Sequence, residues 1–165
     1  MNVEIIGCRG NTGNREELIE RIRHFGEESK TACQIMNAEM VYGREHVLSA
    51  VEHAVRAFKN GTNSCKTLDL EILLYASGKR QIKDAIDFMG IGKSEKFVFV
   101  CVGEGNPKGE EFLKKLGLEI DNSVIDGDIS TLEKFGISEE EMKTVDKSMY
   151  GDLILEKVAM VDLIK

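Results

Sequence analysis

A single domain of the α+β or α/β class, with helices outnumbering strands, is what the sequence predicts over residues 1–165. Three observations lead there. "KFVFVCVG" at 96–103 is a continuous apolar run, bounded by Gly103 and Gly105, and reads as a central strand. "NVEIIG" at 2–7 and "TACQIMN" at 31–37 have strand character too. Elsewhere apolar residues recur at helical spacing, and a chain of 165 residues is long enough to bury one sizeable core.

In chain order, the first strand enters the glycine-rich turn "GCRGNTGN" (7–14), where Asn14 can cap a helix over 15–25 with Leu18, Ile22 and Phe25 as its inner stripe. Strand, loop and helix in this order is the usual setting for a phosphate cradle. This loop has no lysine, however, and "REEL" puts two acids in the first helical turn, where they complement the dipole and repel phosphate, so a plain turn is expected. After the second strand a long helix over 44–59 buries Val47, Val51, Ala54, Val55 and Phe58, carries Arg56 and Lys59 near its C-terminal end, and stops at "NGTN". The helix over 67–76, "LDLEILLYA", is apolar nearly all round and belongs in the core. Ser77-Gly78 is a hinge, and the next helix runs from the cations of "KRQIK" to Met89 with Ile82, Ala85, Ile86 and Met89 inward. Beyond the central strand follow a helix over 109–116, a short strand around 119–125, small helices over 130–135 and 138–147, and a final helix over 152–164.

Composition excludes several classes. With 42% hydrophobic residues, 31% charged residues and one proline, the chain is neither disordered nor fibrous. No apolar run approaches the roughly 18 residues that span a bilayer, and "MNVEIIGCRG" lacks a signal peptide's order, so a cytoplasmic location is expected. Cys8, Cys33, Cys65 and Cys101 form no C-x-x-C pair and are expected to be reduced core residues. His24, His46 and His53 have no carboxylate placed to make a metal site, and structural or surface roles are expected for them. Neither a metal nor a cofactor is implied.

Charge is uneven. Residues 1–55 carry six cations against nine acids, residues 56–103 eight against five, and residues 104–165 eight against fifteen, so the middle third is basic in a chain of net charge -7. A local potential of this kind can meet a polyanion. Gly78-Lys79 is not a P-loop: the upstream glycine position is Leu73 and the residue after the lysine is Arg80, not Ser or Thr.

That middle third also carries a resemblance. "NA" after a strand, "EHVLSAVEHAVRAF" on a helix, "NGTN" at its end, "EILLY" on the next helix, and "GKRQIKDAI" with a closing "GI" resemble, in that order, the signature region of the PRPK-binding-protein family of KEOPS accessory subunits. The resemblance covers about 60 residues. It implies an α+β domain in which a mixed sheet packs on a helical layer as a two-layer sandwich. It also implies a non-enzymatic role: docking on and stimulating the kinase-like ATPase of KEOPS, meeting other KEOPS subunits through it, and helping bind, by its single-stranded acceptor end, the tRNA that receives threonylcarbamoyl. No catalytic constellation competes with that reading.

Two residue sets are then candidates. Arg56, Lys59, Asn60, Lys79, Arg80, Gln81 and Lys83 form one basic tRNA surface if their helices are neighbours. The bland account is a solvated face in which Arg80 pairs with Asp84 and Lys83 with Asp87. It leaves Lys79 unexplained and puts cations against the positive end of a helix. The last helix, "DLILEKVAMVDLIK", is apolar around almost its whole circumference, and Leu153, Ile154, Lys157, Met160 and Val161 are the candidates for the kinase-subunit contact. The alternatives are a helix buried in its own domain, a small phosphate-metabolite enzyme using the 7–14 loop, and a protein-interaction adaptor without a nucleic-acid role.

Overall fold

The computed structural model describes residues 1–11 and 13–165. Four strands, β1 (Asn2–Arg9), β2 (Ala32–Asn37), β3 (Lys96–Gly103) and β4 (Glu119–Ile120), form one sheet in the order β2-β3-β1-β4. β3 is interior, and Phe97 to Val102 are all buried, because its alternate side chains meet helices on both faces. The α+β class is as expected, but two details differ. Every pairing is antiparallel rather than mixed: β1 and β2 run the same way, and β3 inserts between them in the opposite sense. Helices also cover both sides of the sheet, not one.

On one face, Ile6, Cys8, Cys33, Ile35, Phe97, Phe99 and Cys101 pack against α1 (Arg15–Ser29) and α5 (Gly109–Lys115). On the other, Ile5, Met36, Val98, Val100 and Val102 share a core with α2 (Arg44–Asn60), α3 (Leu68–Ser77), α4 (Ile82–Met89) and α8 (Tyr150–Ile164). The period of two along each strand produces this division. Between α5 and α8, the short helices α6 (Ile129–Lys134) and α7 (Glu139–Lys143) build a smaller cluster of Leu132, Ile137 and Met142 around Ile154.

Asn14 caps α1 as predicted, its side chain accepting the Glu17 N–H at 3.1 Å. The helix continues through Gly26, however. A Cβ built at Gly26 would stand 2.9 Å from the Thr31 carbonyl, so this glycine permits close approach to β2 instead of ending the helix. The strand expected over 119–125 pairs only at Glu119–Ile120: Asp121 accepts the Ser123 N–H at 3.1 Å and bends the chain into a 3-10 turn, Asn122–Ile125. The helix expected from the first cation of "KRQIK" begins only at Ile82, because Gly78 closes α3 in the left-handed region (φ 69°) and Gln81, in extended backbone, is the N-cap.

Candidate docking surface and nucleic-acid interface

α2 and α3 are antiparallel neighbours held at one end by His46, which is 1% exposed. The Tyr42 N–H donates to His46 Nδ1 at 3.0 Å, so the imidazole proton sits on Nε2, which donates to the Ala76 carbonyl at 2.8 Å. Burial lowers the pKa of His46 to about 4, leaving the ring neutral. The start of α2 is thereby tied to the end of α3.

This geometry divides the predicted basic surface. Lys79, Arg80, Gln81 and Lys83 lie where α3 passes into α4, beside the first turn of α2. Arg56, Lys59 and Asn60 lie at the other end of α2, about 20 Å away for thirteen residues of helical rise. The two helices are neighbours, but they run in opposite directions, so the cations form two patches. The dipole argument changes as well: Lys79 and Arg80 precede the N-cap, and only Lys83 stands in the first turn of α4. Lys79 is half-buried with its Nζ 4.3 Å from the centre of the Phe88 ring, a cation–π contact contributing on the order of 0.5–1 kcal/mol. Arg80, Gln81 and Lys83 are exposed, and among the described residues no ion pair joins Arg80 to Asp84 or Lys83 to Asp87. The Gln81 side chain does not cap α4, so first-turn N–H groups stay open beside two free cations. Lys157 of α8 backs this turn: a Cβ at Gly78 would lie 3.5 Å from the Lys157 Cβ.

α8 overturns part of the predicted docking set. Ile154 and Val161 are fully buried together with Val158, inside the α2–α3 core and the small α6–α7 cluster, so neither presents a side chain to a partner. Leu153 and Lys157 are half-buried. Met160 is 44% exposed, and with Leu163 (78%) and Ile164 (40%) it forms an outer apolar strip at i, i+3 and i+4. Leu163 and Ile164 were not among the candidates singled out from the sequence, because a wheel that is apolar nearly all round does not say which side faces in.

A polar network fixes this end of α8. The Asp162 carboxylate accepts from His53 Nδ1–H at 2.9 Å and from the Tyr75 hydroxyl. Burial pushes the Asp162 carboxyl up, but these hydrogen bonds outweigh it and hold its pKa below the usual range. The Lys165 side chain is 6% exposed, and its Nζ donates at 3.0 Å to the fully buried Glu71 carboxylate, which also accepts the Ser64 and Cys65 amides at 3.0–3.1 Å. The signal for it in the sequence was Glu71, the inner of two acids in a helix that is otherwise apolar up to Ser77.

Among its described residues the 7–14 loop offers no phosphate cradle. Gly7 belongs to β1, the Asn14 side chain occupies an amide of the first turn of α1, and Glu16 and Glu17 stand there as well; Thr12 lies outside the described residues. Among the described residues no group of three or more His, Cys, Asp or Glu converges as metal ligands, and no helix is long and apolar enough to cross a membrane.

The family model for "Kinase binding protein CGI-121" matches residues 10–162. The chain belongs to this family. The KEOPS complex subunit Cgi121 of Pyrococcus abyssi is 36% identical over 104 residues, which cover 62% of this chain and 57% of that protein. The regulatory protein Cgi121 of Methanocaldococcus jannaschii is 32% identical over 132 residues, covering 80% of this chain and 84% of that one. Both basic patches and α8 through Asp162 fall within the family match, whereas Leu163 and Ile164 of the outer strip lie just beyond it.

Proposed function

We propose that this chain works over residues 1–165 as a single, cytoplasmic, non-catalytic subunit of KEOPS. It docks on the kinase-like ATPase through the outer strip of α8, stimulates it, meets the other subunits through it, and helps hold the single-stranded acceptor end of tRNA. The observation that carries the docking half is the Met160–Leu163–Ile164 strip, left uncovered on a helix whose other face is fully packed, in a chain of a kinase-binding family. For the tRNA half, Arg80 and Lys83 flank an open helix N-terminus, which matches the chemistry of a phosphodiester. Arg56 and Lys59 offer a second contact farther along the same helix pair.

The test combines the purified chain with the kinase-like ATPase and a tRNA. A stable complex, a raised ATPase rate and salt-dependent tRNA binding are expected. Arg80→Ala with Lys83→Ala should weaken tRNA binding and lower the slope of log affinity against log salt by about 0.7 for each phosphate no longer neutralised. Complex formation with no tRNA binding under any salt condition would leave the adaptor reading, and absence of a complex would reject the proposal.

A further inference from the structure

Two of the four cysteines face each other. Cys33 of β2 and Cys101 of β3 are directly opposed in the ladder, with their sulfurs 2.9 Å apart. The Ile35 amide donates to the Gln34 side chain at the open edge of β2, so Cys33, two residues before it, also turns its backbone away from β3. The other side of the sheet gives the same answer. Gly7 bonds outward to Asn122 and Asp121, so Glu4, of opposite parity, exchanges its hydrogen bonds with Cys101. Cys33 and Cys101 are therefore a non-hydrogen-bonded pair, the type in which antiparallel side chains come closest, at about 4.5 Å between Cα atoms. That spacing lies within the range a disulfide spans, about 4.4–6.8 Å.

The pair has a polar neighbour and a route to solvent. The Thr31 hydroxyl lies 3.0 Å from the Cys101 sulfur and 3.3 Å from the Cys33 sulfur. The Cys33 thiol, which donates to Cys101, is pushed above its ordinary pKa by that bond and by burial, while the Cys101 thiol, bonded to Cys33 and to Thr31, is held below its own, so Cys101 is the first of the two to lose its proton. Cys33 forms part of the floor of a groove of about 490 Å³ between α1, the edge of β2, α3 and α4, whose rims are the exposed Ile19 and Ile86. Gly26 of α1, where a Cβ would stand 3.5 Å from the Cys33 Cβ, keeps the helix close without a side chain over the sulfur. Cys8 and Cys65 differ in their surroundings: neither lines the groove, and among the described residues neither has a sulfur partner.

We propose that Cys33 and Cys101 are a reactive dithiol that a small hydroperoxide, entering by this groove, oxidises to a cross-strand disulfide. The first proton leaves Cys101 to solvent, and the Cys33 proton then crosses the 2.9 Å contact to Cys101, which places the thiolate on Cys33, the one sulfur of the pair that lines the groove. The Cys33 thiolate attacks a peroxide oxygen; the S–O bond forms as O–O breaks, and the leaving hydroxide takes the Cys101 proton to become water. The Cys101 thiolate then attacks the Cys33 sulfur and expels hydroxide, which is protonated from solvent. Two thiols are oxidised, one peroxide is reduced, and two waters are released.

The test treats the folded full-length chain with stoichiometric hydrogen peroxide, then unfolds it in acid, alkylates it and weighs it. The expected product has lost about 2 Da, alkylates at two thiols instead of four, and yields a Cys33–Cys101 cross-linked peptide that a dithiol reductant reverses. In Cys101→Ser, a sulfenic acid should accumulate on Cys33 and be trapped by dimedone. Filling the groove mouth with Ile86→Trp should slow oxidation of the pair. Four alkylatable thiols in the treated wild type, or a cross-link through Cys8 or Cys65, would overturn the proposal without reliance on any variant.

Discussion

α3 and α8 share one sequence signature, apolar residues around nearly the whole helix, and meet different fates. In α3 every residue from Glu71 to Ser77 is buried, because the helix is enclosed by α2, α4, α8 and β2. α8 is covered by α2 and α3 and, at its start, by the α6–α7 cluster, so Ile154, Val158 and Val161 are buried while Met160, Leu163 and Ile164 stay open. An all-round apolar helix thus records how much cover its sequence is built for. For α3 the chain supplies that cover itself; for the outer strip of α8 the described residues do not.

The contrast can be broken most severely from inside. Ile154→Glu places a carboxylate at a fully buried position without a partner and should abolish cooperative folding in a urea melt, as an α3 core substitution does in milder form: Leu74→Ala should cost about 2–5 kcal/mol. A mutant that folds with Glu at 154 would show that α8 can detach. Next comes the clasp between the two helices. Lys165→Met leaves Glu71 buried with its two amide donors but without its cation, and should cost on the order of 3 kcal/mol by the same melt.

His46 tests the other end of the hairpin through pH. Its folded pKa, about 4, lies below the value of about 6.5 for an unfolded chain, so below pH 6.5 the unfolded state binds the proton more readily. The stability it contributes is fully present above pH 6.5 and is lost as pH falls toward 4, on the order of 3 kcal/mol in all. Urea melts between pH 7 and pH 4.5 should show this slope in the wild type and its loss in His46→Gln. An unchanged slope in that variant would assign the pH dependence to other groups. The smallest effect on stability belongs to the cations: Arg80→Ala with Lys83→Ala should move the midpoint by no more than about 0.5 kcal/mol, since both side chains are exposed and unpaired.

Local features of the fold were legible in the sequence, and long-range ones were not. β3 announced itself by six successive apolar residues, α1 by the Asn14 cap and the Leu18–Ile22 spacing, and α3 by its lack of a polar face. The insertion of β3 between β1 and β2 depends on pairing partners far apart in the chain, from Asn37 with Phe97 to Asn2 with Gly103, which leave no local mark. The signature residues pointed correctly to the family, but the spatial grouping of the candidate side chains was not legible. Lys79 and Lys59 look close in sequence, but the antiparallel turn of α3 separates them. Ile154 and Met160 look equivalent on a wheel, but only their packing distinguishes core from surface. Lys79 had no visible partner in sequence because Phe88, nine residues on, meets it only once α4 has started at Ile82.

The docking role of the α8 strip is tested most directly by the double variant Met160→Glu with Leu163→Glu, set against the wild type for binding to the kinase-like ATPase. Removing anchors from the centre of an interface costs on the order of 2 kcal/mol or more, about a thirtyfold drop in affinity. That drop is expected with the thermal midpoint of the isolated chain unchanged within a few degrees, because both side chains are already in solvent. Undiminished binding by a folded double variant would contradict the α8 docking surface and move it elsewhere on the molecule.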